Sequence, residues 1–230
     1  MNKIISKEYF SANVVKFDVE APLIAKARKA GHFVIVRTGE KGERIPLTIT
    51  SSDPERGTIS LVIQAVGKST RKLCSLEAGD YITDVVGPLG QATHVEKVGT
   101  VVCCGGGVGV APLLPIVEAM KKAGNRVITV LAARTKELII LEEQVRPYSD
   151  EVIIMTDDGS YGKKGLVTHG VEEVINREKV DLCVTIGPAI MMKFVSLLTK
   201  KYDIPTAGYE NFTDPDAAIA YLETAKFPIV

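Results

Sequence analysis

An antiparallel β-barrel followed by a doubly wound α/β domain is the fold this sequence predicts. Three observations predict it. Up to about residue 98 the apolar pattern has a period of two, with β-branched and aromatic residues set between turn segments. After residue 98 apolar strands alternate with helical stretches, the mark of parallel βαβ units. Between the first of those strands and its helix stands CCGGGVGVAPLLPI, residues 103–116, with four glycines in five positions.

The barrel strands come first. KIISKEYFSANVVKFDVE (3–20), HFVIVR (32–37), PLTITSS (46–52), TISLVIQAV (58–66) and YITDVVGP (81–88) are separated by turn material such as TGEKGE and SDPERG. One short helix is expected among them, at GKSTRKLCSL (67–76). In the second half VGTVVCC (98–104) leads to a helix at 111–124. RVITVLAAR (126–134) leads to a helix near ELIILEEQV (137–145). EVIIMTDD (151–158) leads to 165–178, and DLCVTIG (181–187) to 188–202. These strands are apolar on both faces, as a sheet covered by helices on each side requires. The division expected is 1–97 for the barrel, 98–206 for the α/β domain and 207–230 for an atypical tail. No internal repeat or low-complexity segment interrupts it.

Composition narrows the function classes. The 230 residues hold 28 basic and 28 acidic side chains, so no long-range field gathers nucleic acid or an acidic membrane. There is no Trp and aromatic content is 6%, which argues against a base-stacking surface. No apolar run is long enough to span a bilayer. MNKIISKEYF lacks the apolar stretch of a signal peptide, which predicts a cytoplasmic protein. Cys74, Cys103, Cys104 and Cys183 form no metal pattern, and adjacent Cys103 and Cys104 on a strand point to opposite faces. They read as buried thiols. His32, His94 and His169 stand apart from one another and read as surface or locally bonded residues.

The glycine run lies where a ligand would meet the backbone. Amides at a helix N-terminus lack internal partners and favour an anion, and Pro112 suits the first helical turn. Gly105, Gly106, Gly107, Val108 and Gly109 are therefore candidates to hold a pyrophosphate; a plain tight turn is the alternative. The fit to GxGxxG is imperfect, since the last glycine would fall at Val110, and the second strand ends in Arg134 rather than a ribose-binding acid. Other candidates sit at the ends of the parallel strands: Ala132–Arg134, Thr156–Gly159 and Gly187–Pro188. Arg134 suits a ribose or phosphate, or is a surface charge. Asp157 and Asp158 suit ribose hydroxyls, or shape the turn before Gly159. Gly187 and Pro188 let a flat ring approach, or cap a strand. In the barrel, Arg44 precedes Pro46, Leu47 and Thr48, while Gly67, Ser69 and Thr70 open the short helix. An arginine and a helix N-terminus can hold a second pyrophosphate; a salt-bridged arginine and an ordinary cap are the alternative.

Six stretches in order, RIPLTI, VGKST, VVGPLG, GGGVGVAPLLPI, TDDGSYGKKG and GPAIMMKF, resemble the ferredoxin–NADP reductase superfamily over residues 1–206. Within it the chain is most similar to electron-transfer subunits of the dihydroorotate dehydrogenase type and to the small subunits of NADH-dependent reduced ferredoxin:NADP oxidoreductases, also known as sulfide dehydrogenase-like. The resemblance implies an FAD-dependent NAD(P)H oxidoreductase subunit that works in a heteromer. Arg44 would hold the FAD pyrophosphate, with Gly67, Ser69 and Thr70. Pro46, Leu47 and Thr48 would line the flavin. The GGGVG loop, Arg134, Asp157 and Gly187 would bind NAD(H) or NADP(H). No side-chain acid or base is required, because the cofactors carry the redox chemistry. Electrons would pass to a larger oxidoreductase subunit or a ferredoxin-like protein.

The end of the chain departs from that pattern. Such subunits carry a [2Fe–2S] centre on four thiolates, and this sequence has no cysteine after Cys183. Its tail instead resembles the phosphoribosylamine–glycine ligases over about two dozen residues, joined at the shared string IPT. It reads as a strand or loop, then a helix capped by Asp214 with Pro215 in its first turn. It stops at FPIV, before the ATP-contacting lysine of that family, so no ligase activity is expected. A non-catalytic nucleotide- or partner-binding scaffold is the alternative function.

Overall fold

The computed structural model describes residues 1–205 and 214–224. The first sheet is antiparallel. It contains β1 (Asn2–Ser11), β2 (Val14–Glu20), β3 (Phe33–Arg37), β4 (Ile45–Asp53), β5 (Thr58–Gln64), β6 (Tyr81–Ile82) and β7 (Asp84–Leu89), in the spatial order β6-β1-β2-β5-β4-β3-β7. The two edge strands, β6 and β7, are separated in the chain only by Thr83. The sheet therefore curls until its edges nearly meet, which gives the expected barrel and leaves little open edge. Cross-strand pairs fill its inside: Val15 faces Ile63, Phe17 faces Leu61 and Val19 faces Ile59, and all six are buried in one core. A one-residue slip would turn all of them outward, so the alternation fixes the register.

The short helix expected at 67–76 is α2 (Lys68–Cys74). A helix absent from the sequence reading, α1 (Pro22–Ala27), lies between β2 and β3, with proline in its first turn and no side-chain cap. Six residues are too few for a 3.6-residue period to register.

The second sheet is parallel. β8 (Thr100–Gly106), β9 (Arg126–Ala133), β10 (Glu151–Thr156), β11 (Lys163–Lys164) and β12 (Leu182–Ile186) stand in the order β11-β10-β9-β8-β12. The two-residue β11 was too short to be legible. One face of the sheet packs on α3 (Val110–Lys122), through Val101, Cys103, Leu113, Val117 and Val127. The other packs on α5 (Val167–Arg177) and α6 (Ala189–Lys201), through Val102, Cys104, Val130, Val171 and Val195. Cys103 and Cys104 thus point to opposite faces. The helix expected over 137–145 is corrected to a single turn, α4 (Glu142–Val145), between 3-10 turns at Lys136–Leu138 and Arg146–Tyr148. Leu141, with a φ of +59°, breaks the run. Ile140, Leu141 and Val145 are buried there between the two sheets.

That apolar cluster joins the two units. Val14 and Val62 of the barrel meet Val110, Ala111, Leu114, Leu131 and Ile140. Arg28 adds a polar link, donating from Nε to Ser52 Oγ at 2.8 Å and pairing with Glu118 of α3 at 3.7 Å. The chain passes from the barrel to the parallel sheet between Leu89 and Thr100. At the far end α7 (Pro215–Thr224) forms as expected. The Asp214 carboxylate accepts from the amides of Asp216 and Ala217 at 3.3 Å each. The strand or loop expected over 206–213 lies outside the described residues.

Asp150 ties three elements of the second unit. It accepts from Lys121 Nζ of α3 at 2.7 Å and from the Val127 amide of β9 at 2.8 Å, and it leads into β10. The lysine first, and the amide second, hold its carboxyl below the ordinary carboxylate value. A depressed native pKa contributes stability above the unfolded value, about 3.9, and loses it as the pH falls through the native one. Asp150→Asn is expected to cost about 1 kcal/mol at pH 7, a figure reduced for partial exposure. Urea titrations of both proteins should converge as the pH drops below about 3.9.

Candidate functional site

In an open α/β sheet ligands collect beyond the carboxyl ends of the strands, where the strand order reverses. Here that point lies between β8 and β12, whose pairing ends at Gly105 and Ile186. A cleft of about 690 Å³ opens there, within the range of small-molecule sites. Its floor is made by Gly106, Gly107 and Val108, and its sides by Ala132–Arg134, Asp157, Pro188 and Met191. The barrel supplies Ser11, Asn13, Val14 and Gln64.

The four glycines of the loop have two different jobs. A Cβ on Gly105 would stand 2.8 Å from Val110 Cγ2 and 3.0 Å from Leu113 Cδ2, so this glycine seats α3 on β8. A Cβ on Gly106 would collide with Met191 Sδ. One on Gly109 would lie 2.5 Å from the Ile186 carbonyl oxygen and 2.8 Å from Gly187 Cα. Those positions hold the β8 and β12 loops together. Gly107 alone of the four has open space where a Cβ would be, with a φ of +54°. Gly105, Gly109 and Gly187 do not line the cleft. Gly105 and Gly109 thus pack against neighbouring elements, and Gly107 is the position of the loop with room for a close approach.

The rim residues separate in the same way. Arg134 and Asp157 line the cleft, and neither side chain has a hydrogen bond or ion pair among the described residues. Asp158 does not line it. Its Oδ1 accepts from the Ser160 amide at 2.9 Å and from Ser160 Oγ at 2.7 Å, and these bonds hold its carboxyl below the ordinary value. Asp158 shapes the turn and Asp157 faces the cavity. Thr156 Oγ1 donates to the Tyr161 carbonyl at 2.7 Å, and the Lys136 amide donates to Ser160 Oγ at 2.9 Å, which braces the loop. Pro188 lines the cleft ahead of α6.

A second cavity of about 300 Å³ lies on the barrel, lined by Gly31, Phe33, Pro46, Leu47 and Thr48. Thr48 pairs with Phe33 across β4 and β3. Arg44 is exposed and has no side-chain partner among the described residues. Its neighbour Glu43 accepts a hydrogen bond from Ser69 Oγ at 2.5 Å, so the loop before β4 touches the start of α2. Thr70 Oγ1 accepts from the Val66 and Gly67 amides at 3.1 and 2.9 Å. The two halves of the barrel cluster, distant in sequence, are brought together.

Several lining residues were not singled out from the sequence: Ser11, Asn13 and Gln64 on the barrel, and Met191 and Phe194 on α6. Only GPAIMMKF carried a signal for the last two. The cysteines and histidines stand outside both cavities. Burial pushes the Cys103 thiol up, and a thiol–thiol hydrogen bond to Cys183 at 3.9 Å, with burial, raises Cys104 as well. His169 Nδ1 accepts from the Leu166 amide at 3.1 Å at the start of α5, and His32 Nδ1 from the Lys29 amide at 3.1 Å. No helix among the described residues is long and apolar enough to cross a membrane.

Known proteins share this arrangement. Residues 2–94 match the oxidoreductase FAD-binding domain family and residues 103–197 the oxidoreductase NAD-binding domain family. The chain is 43% identical over 205 residues to the dihydroorotate dehydrogenase B (NAD(+)) electron transfer subunit homolog of Thermotoga maritima, covering 89% of this chain and 72% of that protein. It is 32% identical over 207 residues to the dihydroorotate dehydrogenase B (NAD(+)) electron transfer subunit of Desulforamulus reducens, covering 88% and 79%. The solved structure of an NADH-dependent reduced ferredoxin-NADP oxidoreductase superposes with a TM-score of 0.84 at 43% identity, covering 89% of this chain and 74% of that one. The chain belongs to the ferredoxin–NADP reductase-like family of FAD- and NAD-binding electron-transfer subunits.

Proposed function

We propose that the barrel cavity and the interdomain cleft hold FAD and a nicotinamide dinucleotide side by side, and that the chain relays their electrons to a larger oxidoreductase subunit or a ferredoxin-like protein in the cytoplasm. The observation that carries this is the pair of cavities, one on the barrel and one at the switch point of the parallel sheet. On this reading residues 1–97 form the FAD unit and 98–206 the dinucleotide unit.

Both sites leave room for a diphosphate. Nothing lies within 4 Å of a Cβ built on Gly107, and only Thr70 Oγ1, at 4.0 Å, approaches one built on Gly67. Arg44 would pair with the FAD diphosphate, and Ser69 would exchange its bond to Glu43 for a phosphate oxygen. Pro46, Leu47 and Thr48 would carry the flavin ring. Gly107 and Val108 would offer backbone amides to the second diphosphate, with Arg134 and Asp157 toward a ribose. Bound there, the two cofactors supply hydride transfer and the conversion of a two-electron donor into single electrons. The chain's part is to bind, to align the two rings and to exclude water.

The thiols present do not fit a [2Fe–2S] centre. Cys103 and Cys104 lie on opposite faces of a sheet, and Cys74 is in the other unit. On this reading the electrons pass to an acceptor in the larger oxidoreductase subunit or the ferredoxin-like protein. NAD(H) is favoured over NADP(H). Lys136 stands over the Tyr161 ring at 5.3 Å, and among the described residues Arg134 is the one base lining the cleft.

Purified protein is expected to show a flavin spectrum, or to take up added FAD, and to bleach anaerobically faster with NADH than with NADPH. A colourless protein that refuses FAD overturns the proposal. A bound flavin that stays oxidised with excess NADH and NADPH supports the scaffold reading instead.

A further inference from the structure

The interdomain cleft has two walls, and the barrel wall carries donors that the family's nucleotide-binding loops do not account for. Asn13 Oδ1 accepts from Ser11 Oγ at 3.0 Å. That leaves the Asn13 Nδ2 donors without a partner among the described residues, and the Gln64 carboxamide has none either. Both residues line the cleft. The turn that carries Asn13 is held in place, because the Ala65 amide donates to the Asn13 carbonyl at 2.8 Å. β5, which ends at Gln64, packs against the turn at Gly107–Gly109, and β1, which ends at Ser11, packs against Lys136–Leu138. β5 thus brings Gln64 to the side of the cleft with the Gly107–Gly109 loop, and β1 brings the turn with Asn13 to the side where Arg134 follows β9.

We propose that the barrel binds the dinucleotide directly, with Gln64 donating to its diphosphate and Asn13 donating to the hydroxyls of its adenosine ribose. The inference rests on the reading of this cleft as a dinucleotide site. Carboxamide donors suit phosphate oxygens and ribose hydroxyls alike, without adding charge. A ligand gripped from both walls spans the two units.

The test uses FAD-loaded full-length protein and anaerobic stopped-flow reduction. Asn13→Ala and Gln64→Ala are compared with the parent using NADH and using reduced nicotinamide mononucleotide, which lacks the adenosine half. Each variant should keep its flavin content and melting temperature. Its dissociation constant for NADH should rise roughly threefold to tenfold, the loss expected for one hydrogen bond, with the limiting rate changed by less than about twofold. Asn13→Ala should leave the mononucleotide reaction unchanged. Unaltered NADH affinity in both variants overturns the proposal. So does equal weakening of the mononucleotide by Asn13→Ala, since that marks a displaced turn rather than a lost contact. Failure of the parent protein to hold flavin, or to be reduced at all, sinks the underlying reading of the cleft instead.

Discussion

Gly109→Ala is expected to destabilise the parallel-sheet unit by about 2–3 kcal/mol, the range of an overpacked core. The added methyl would meet the Ile186 carbonyl oxygen at 2.5 Å and Gly187 Cα at 2.8 Å. These are backbone atoms at the end of β12 and cannot rotate aside. The β8 and β12 loops would have to part, and the cleft floor with them. Gly107→Ala makes the contrast. Its Cβ meets nothing within 4 Å, so the cost is that of a left-handed alanine, about 1–2 kcal/mol. Its methyl, however, points into open space beside the proposed diphosphate. Urea titration together with NADH binding should rank the two in opposite order. Gly109→Ala loses more stability, and Gly107→Ala loses more affinity per unit of stability. Equal stability losses would show that the loop yields freely at Gly109.

Arg44→Ala is expected to strip the protein of flavin while leaving the fold intact. The guanidinium is exposed and has no partner among the described residues, so its removal should change stability by less than about 0.5 kcal/mol. A charge-assisted bond to a phosphate is worth about 1.5–3 kcal/mol, or roughly 10-fold to 150-fold in affinity. Flavin absorbance per polypeptide after gel filtration measures the loss directly. Arg44→Lys should recover only part of it, because a point charge replaces a two-pronged donor. Full flavin retention in Arg44→Ala would remove Arg44 from the site.

The elements legible in the sequence were those that bury a continuous face. β8, β9 and β10 read as strands because helices cover them on both sides, and Val15, Phe17 and Val19 because a pleat alternates. α1 and β11 escaped because they are too short for their period to repeat enough to be recognised. α4 was overread: Ile140, Leu141 and Val145 are apolar enough for a helix, but they are buried in a broken segment set by the neighbouring sheet. In the site, the glycine run was visible, but which glycine has open space above it was not. That depends on Met191 and Gly187, some 80 residues away in the chain. Residue type alone did not separate Asp157 from Asp158, and only the family resemblance pointed to Asp157; in the structure the turn through Ser160 distinguishes them. Asn13 and Gln64 carried no signal at all, since their position over the cleft arises where the two sheets meet.

One passage of chain joins those sheets, so covalent bonding does little to set the gap between them. The gauge is the greasy seam around Val14, Val62, Leu114 and Ile140. Any two flat rings held one by each unit would inherit their relative position from the packing of these four aliphatic side chains, so a change of volume in the seam would shift one ring against the other.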